Sequence, residues 1–155
     1  MARIDFHSNV ADKLLYACRL ARKIMSSSED QNRTIVFTGE IADLKKLDGL
    51  LWSFSKTDFL PHCFASDDTA QETPVILVAR SALGDLKALP HNDVFVHLSN
   101  QMLPDIDSII ARFPRLIEIV SILEDERLAG RERYKAYQTL GHELHHFDQS
   151  KNNPN

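Results

Sequence analysis

The chain is short of glycine, cysteine, basic excess and long apolar runs, and each shortage argues against a class of function. Only five glycines occur in 155 residues. Nucleotide and dinucleotide sites need glycines directly after the first strand, because the backbone must approach phosphate closely. Here the first strand continues as Asp5-Phe6-His7-Ser8-Asn9-Val10 without a glycine, and neither GxGxxG nor a P-loop occurs in the sequence. Nucleotide hydrolysis and hydride transfer lose their usual binding device, and no cofactor is expected. The two cysteines, Cys18 and Cys63, make no disulfide framework. No charged segment followed by an apolar core opens the sequence, so reduced thiols in a cytoplasmic protein are expected. The apolar runs are short, as in Val75 to Ala79, too short to span a membrane. A net charge of −4 argues against gripping nucleic acid over a broad face. Domains that do so draw their affinity from counterion release at many phosphates. If DNA matters here, another protein holds it.

What is present is an alternation of short apolar runs and amphipathic segments. Ile4 to Phe6, Thr34 to Thr38, Val75 to Val78, Val94 to Leu98 and Leu116 to Val120 read as strands. The later ones are almost continuously apolar, as strands buried on both faces are. Between them, Asn9 and Asp12 offer a helix start, after which Leu14, Cys18, Ala21 and Met25 recur at helical spacing until Ser26-Ser27-Ser28. Further helices carry Ile41, Leu44, Leu47 and Leu51, and then Ile106, Ile109, Ile110 and Phe113 behind Pro104. A long final helix is expected from about Leu123 towards Phe147. The polar stretch from Ser53 to Thr73, interrupted by Pro61, reads as an ordered loop or excursion. The alternation predicts a single-domain, Rossmann-like three-layer α/β fold with a mostly parallel sheet of about five strands. The domain is expected over residues 1–148, with residues 149–155 a flexible tail.

Two candidate chemistries stand out. His142-Glu143-Leu144-His145-His146 matches HExxH, which on a helix sets His142 and His146 on one face for zinc, with Glu143 as general base. This is the alternative function, a small zinc-dependent hydrolase. Catalytic zinc needs a third protein ligand, and the nine residues after His146 contain neither His nor Glu. That leaves His7, His62, His91 and His97 upstream. Cys18, on the apolar side of the first helix, reads as a buried structural thiol. Cys63 beside His62 makes no nucleophile–base pair.

The second candidate is the basic-aromatic stretch Arg131-Glu132-Arg133-Tyr134-Lys135-Ala136-Tyr137. Ala129, Ala136, Leu140 and Leu144 mark an inward stripe, while Arg131, Tyr134, Lys135 and Gln138 share a neighbouring face. A guanidinium, an ammonium and a phenol beside small residues suit the capture of an acidic peptide or a polypeptide's C-terminus. Chemistry alone leaves two readings open, because Arg and Lys on a helix are commonly just solvated. Direct binding of single-stranded DNA is a third, opposed by the acidic net charge and by the lack of aromatics beyond Tyr134 and Tyr137.

The same stretch, followed by Gly141, resembles the C-terminal signature of the chi subunit of bacterial DNA polymerase III. Leu51-Trp52 and Phe59-Leu60-Pro61-His62 give a separate match, and the order of elements fits nearly the whole sequence. The resemblance implies a non-catalytic DNA replication accessory subunit of the clamp-loader assembly. It implies an adaptor that binds the acidic C-terminal tail of single-stranded DNA-binding protein and a psi subunit linking it to the clamp loader. Carried onto this sequence, it places the tail site at Val120, Arg131, Tyr134, Lys135 and Gln138. Arg131 and Lys135 hold carboxylates there, and Val120 and Tyr134 receive the last apolar side chain. Gln138 departs from the arginine of the best-known members, so one ionic contact is expected to be missing. Trp52 and Phe59 correspond to the psi-binding surface. A lone tryptophan at a helix end is otherwise more often core.

Overall fold

The computed structural model describes residues 3–26, 33–54 and 59–151. All five expected strands form, and two more join them: β1 (Arg3–Val10), β2 (Ile35–Gly39), β3 (His62–Phe64), β4 (Val75–Ala79), β5 (Val94–His97), β6 (Arg115–Ser121) and β7 (Glu143–Asp148). They make one seven-stranded sheet in the order β3-β4-β2-β5-β6-β1-β7, with every pair parallel. The two unanticipated strands are its edges. β3 has only three residues, and β7 is largely exposed, so neither carries the continuous apolar run of a central strand.

The helices are α1 (Lys13–Ser26), α2 (Ile41–Ser53), α3 (Ile106–Arg112) and α4 (Glu124–Thr139). From β1 the backbone moves across the sheet through α1 and α2 to β3, then returns through β4, β5, β6 and β7. Right-handed crossovers put outward and return connections on opposite faces, and the core divides accordingly. Ala17, Cys18, Leu20, Ala21 and Ile24 of α1 and Leu44, Leu47 and Leu51 of α2 pack with Ile35, Phe37, Val75, Leu77, Ile117 and Ile119. Ile109, Phe113 and Tyr137 pack with the alternate strand residues Ile4, Phe6, Val36, Ile76, Phe95, Leu116 and Val120.

Three local readings change. Asn9 does not start the first helix; it lies in β1 with φ 56°, and Asp12 caps the helix by accepting from the Leu15 amide at 3.2 Å. The Ser53–Thr73 excursion contains β3 and a 3-10 turn at Ala70–Glu72. Its residues 55–58 lie outside the described residues, as do the Ser27-Ser28 helix stop and residues 152–155 of the expected tail. The final helix stops at Thr139. Gly141, at φ 83°, reverses the backbone. Its amide donates to the Gln138 carbonyl and the His142 amide to that of Tyr137, the paired bonds of a glycine-terminated helix. Among the described residues, no helix is long and apolar enough to cross a membrane.

Candidate binding cleft

β1 and β6 are neighbours whose connections leave to opposite faces, α1 to one and α4 to the other. A crevice must open between such connections at the carboxyl ends of the strands. A cleft of about 420 Å³ lies there, lined by Phe6, Ser8, Asn9, Val120, Arg127, Gly130, Arg131, Tyr134, Lys135 and His146. Four of the five residues anticipated for the tail site meet in it: Val120, Arg131, Tyr134 and Lys135. Gln138 is exposed on α4 but is not part of the lining.

The cleft has an apolar floor and a cationic rim. Tyr134 stands edge-on over Phe6, with ring centroids 5.1 Å apart. Val120 packs so closely beneath Gly130 that a Cβ there would come within 2.9 Å of its methyls. Glycine is therefore required for α4 to lie this close to β6. Arg127, Arg131 and Lys135 succeed one another at four-residue steps and so form one ridge on α4. Arg127 was not among the anticipated residues, although its place one turn before Arg131 is the signal that could have found it. Phe6, Ser8 and His146 carried no such signal, because they come from β1 and β7, which are distant in sequence.

The inward side of α4 is not the expected stripe. Leu140 is 54% exposed, whereas Arg133 and Tyr137 are buried at 2% and 0%. Their target is Glu118, itself fully buried on β6. Arg133 Nε donates to Glu118 Oε1 at 3.1 Å, Tyr137 hydroxyl to Oε2 at 2.6 Å, and His97 Nδ1 lies 2.8 Å from Oε1. Arg133 also donates to the Asn100 carbonyl at 3.0 Å. Burial by itself would push the Glu118 carboxyl up. The charges of His97 and Arg133, with hydrogen bonds from His97 and Tyr137, outweigh it and hold the group below the usual carboxylate range. Burial, followed by the adjacent Glu118 charge, drives the Tyr137 phenol up. The basic-aromatic stretch thus divides in two. Arg133 and Tyr137 anchor the helix, while Arg131, Tyr134 and Lys135 face the cleft.

The HExxH residues do not lie on a helix. Residues 143–148 form β7, where four extended residues span about 13 Å. His146 Nε2 lies 2.5 Å from Ser8 Oγ, and the His142 ring lies 6.5 Å from that of Tyr137. The two imidazoles are not placed to share an ion. Among the described residues, no group of three His, Cys, Asp or Glu is arranged to hold a metal. Cys18 is buried, and burial raises its thiol to about 12, so it is not a nucleophile.

On the opposite face of the sheet, at the end of α2, Trp52 and Phe59 are 60% and 56% exposed, which removes them from the core. Their rings lie 5.0 Å apart, and that of buried His62 lies 5.0 Å from Trp52. His62 Nδ1 is held by the Leu60 carbonyl at 2.7 Å, and its Nε2 lies 3.2 Å from Asp48.

The fold and cleft together define a three-layer α/β domain with a cation-rimmed groove at a switch point of its sheet. Residues 1–145 match the family described as DNA polymerase III chi subunit, HolC, and the chain belongs to that family. DNA polymerase III subunit chi of Pseudomonas aeruginosa is 28% identical over 148 residues, spanning 93% of this chain and 94% of that protein. The Haemophilus influenzae protein of the same name is 27% identical over 128 residues, spanning 83% and 81%.

Proposed function

We propose that the protein is a non-catalytic adaptor of the replication machinery, capturing the acidic C-terminal tail of single-stranded DNA-binding protein in the cleft beside α4. The observation that carries this reading is the convergence of Val120, Arg131, Tyr134 and Lys135 on one groove. A carboxylate-rich tail needs charged donors, and its last side chain needs an apolar seat. The Arg127–Arg131–Lys135 ridge supplies the first. Phe6, Val120 and Tyr134, which line the groove, supply the second. The exposed Trp52–Phe59 pair, remote from the cleft, is the second surface and docks a psi-like subunit of the clamp loader. DNA is then reached mainly through the protein that coats it.

The test is titration of a synthetic acidic peptide with an apolar last residue and a free terminal carboxylate. Arg131→Ala and Lys135→Ala should each weaken binding by about 1–3 kcal/mol, the range for charge-assisted contacts. Unchanged affinity in both variants would remove the assigned site. Pull-downs with Trp52→Ala should lose the psi-like partner and retain the tail.

A further inference from the structure

The last histidine of the HExxH run, His146, lines the cleft. One register row across the sheet passes from Glu118 through Phe6 to His146, and register partners in parallel strands share a face. His146 therefore stands beside Phe6, on the wall opposite the α4 ridge, and its ring is fixed by Ser8 Oγ. We propose that His146 is a further carboxylate-recognising residue of the cleft, and that its protonation strengthens capture of an anionic peptide. The inference deepens the tail-binding reading and rests on it.

A serine hydroxyl both donates and accepts, so the Ser8 contact persists whether or not the imidazole carries a second proton. The charges around the ring set its response. From β1 it meets Ser8, Asn9 and Phe6, all uncharged; Asp5 and His7 of that strand point to the other face. From its own strand it meets Asp148. The hydrogen bond from Asn9, then those from Ser150, hold the Asp148 carboxyl down to about 2, so it stays anionic. His142, before the start of β7, lies against Tyr137. From α4, Arg127, Arg131 and Lys135 face it across the cleft. A carboxylate seated between the ridge and the ring would favour the charged imidazolium over the neutral ring. Binding an anion therefore takes up a proton, and by linkage a lower pH strengthens binding. Histidine is the side chain whose ordinary charge change falls between about pH 5 and 8, so the effect lies in a range where the peptide's carboxylates remain ionised.

The experiment is calorimetric titration of that acidic peptide at fixed ionic strength near pH 6 and near pH 8, for the wild type and for His146→Gln. His146 is exposed, and thermal melts of both proteins establish that the variant folds. The expected result is about fivefold tighter binding by the wild type at the lower pH, with the ratio falling to near one in His146→Gln. Equal pH ratios in the two proteins, or a wild-type ratio near one, overturn the role of His146 while leaving the tail site intact. No binding of the peptide by the wild type at either pH overturns the tail reading, and this inference with it.

Discussion

The cleft beside α4 and the aromatic patch at the end of α2 are built on opposite physical terms. The cleft is concave and charged, and its rim stands on a helix pinned from beneath by Glu118, Arg133 and Tyr137. The patch is two exposed rings standing against buried His62. On the proposed reading, a partner at the first should gain from charge pairing and be weakened by salt, and a partner at the second should gain from apolar burial and be less affected. The two proposed partners should then differ in how their affinities respond to salt.

The sharpest way to break the comparison is at the anchor of α4. Glu118→Ala leaves the Arg133 guanidinium buried without its partner, and such losses cost about 3–5 kcal/mol. Denaturant unfolding should show that loss. In the surviving folded fraction, peptide affinity should fall while capture through Trp52 holds, because the two surfaces lie on opposite faces of the sheet. Equal loss at both surfaces would show that they are not independent.

Acid should affect the β1 side of the molecule next. Burial holds His7 down to about 4 from 6.5, and its ring packs against Phe147 of β7. Below about pH 6.5 the unfolded protein binds a proton at this histidine that the folded protein refuses. Stability is therefore whole above that pH and is lost as pH falls towards about 4, by up to about 3 kcal/mol. His7→Asn should flatten that part of the stability–pH profile measured by thermal or urea unfolding.

The smallest effect on stability, and the clearest on function, belongs to the patch. Trp52→Ala should change stability by no more than about 0.5–1 kcal/mol, since the ring is mostly exposed, yet should abolish psi-like capture. Raising salt to about 0.5 M should weaken the tail peptide and leave the patch partner bound. A salt-sensitive patch would dissolve the distinction between the two surfaces.

Much of this architecture was legible in sequence because it follows from periodicity. The five apolar strands and the first three helices were visible as runs and stripes, and their alternation already implied a parallel sheet. The end of α4 was not. Leu140 and Leu144 continued an apolar spacing that suited a helix, and Gly141 was the one local stop signal. Passing over it turned β7 into helix and lent HExxH a zinc geometry that an extended strand does not have. β3, at three residues, is too short for any pattern. The charged face of α4 was legible in Arg131, Tyr134 and Lys135, but its inward side was misassigned. An arginine and a tyrosine are buried there only because a glutamate on β6 awaits them, and that pairing is non-local.

The sequence by itself determined the fold class, the absence of a glycine-rich phosphate loop and the cationic face of one helix. Each is written in local composition or in spacing along a single element. Tertiary structure alone decided that Val120 lies under that face, that Arg133 and Tyr137 turn inward, and that His146 forms the far wall. Those outcomes depend on which strands become neighbours, and the order β6-β1-β7 is fixed by crossover handedness and packing across the whole sheet.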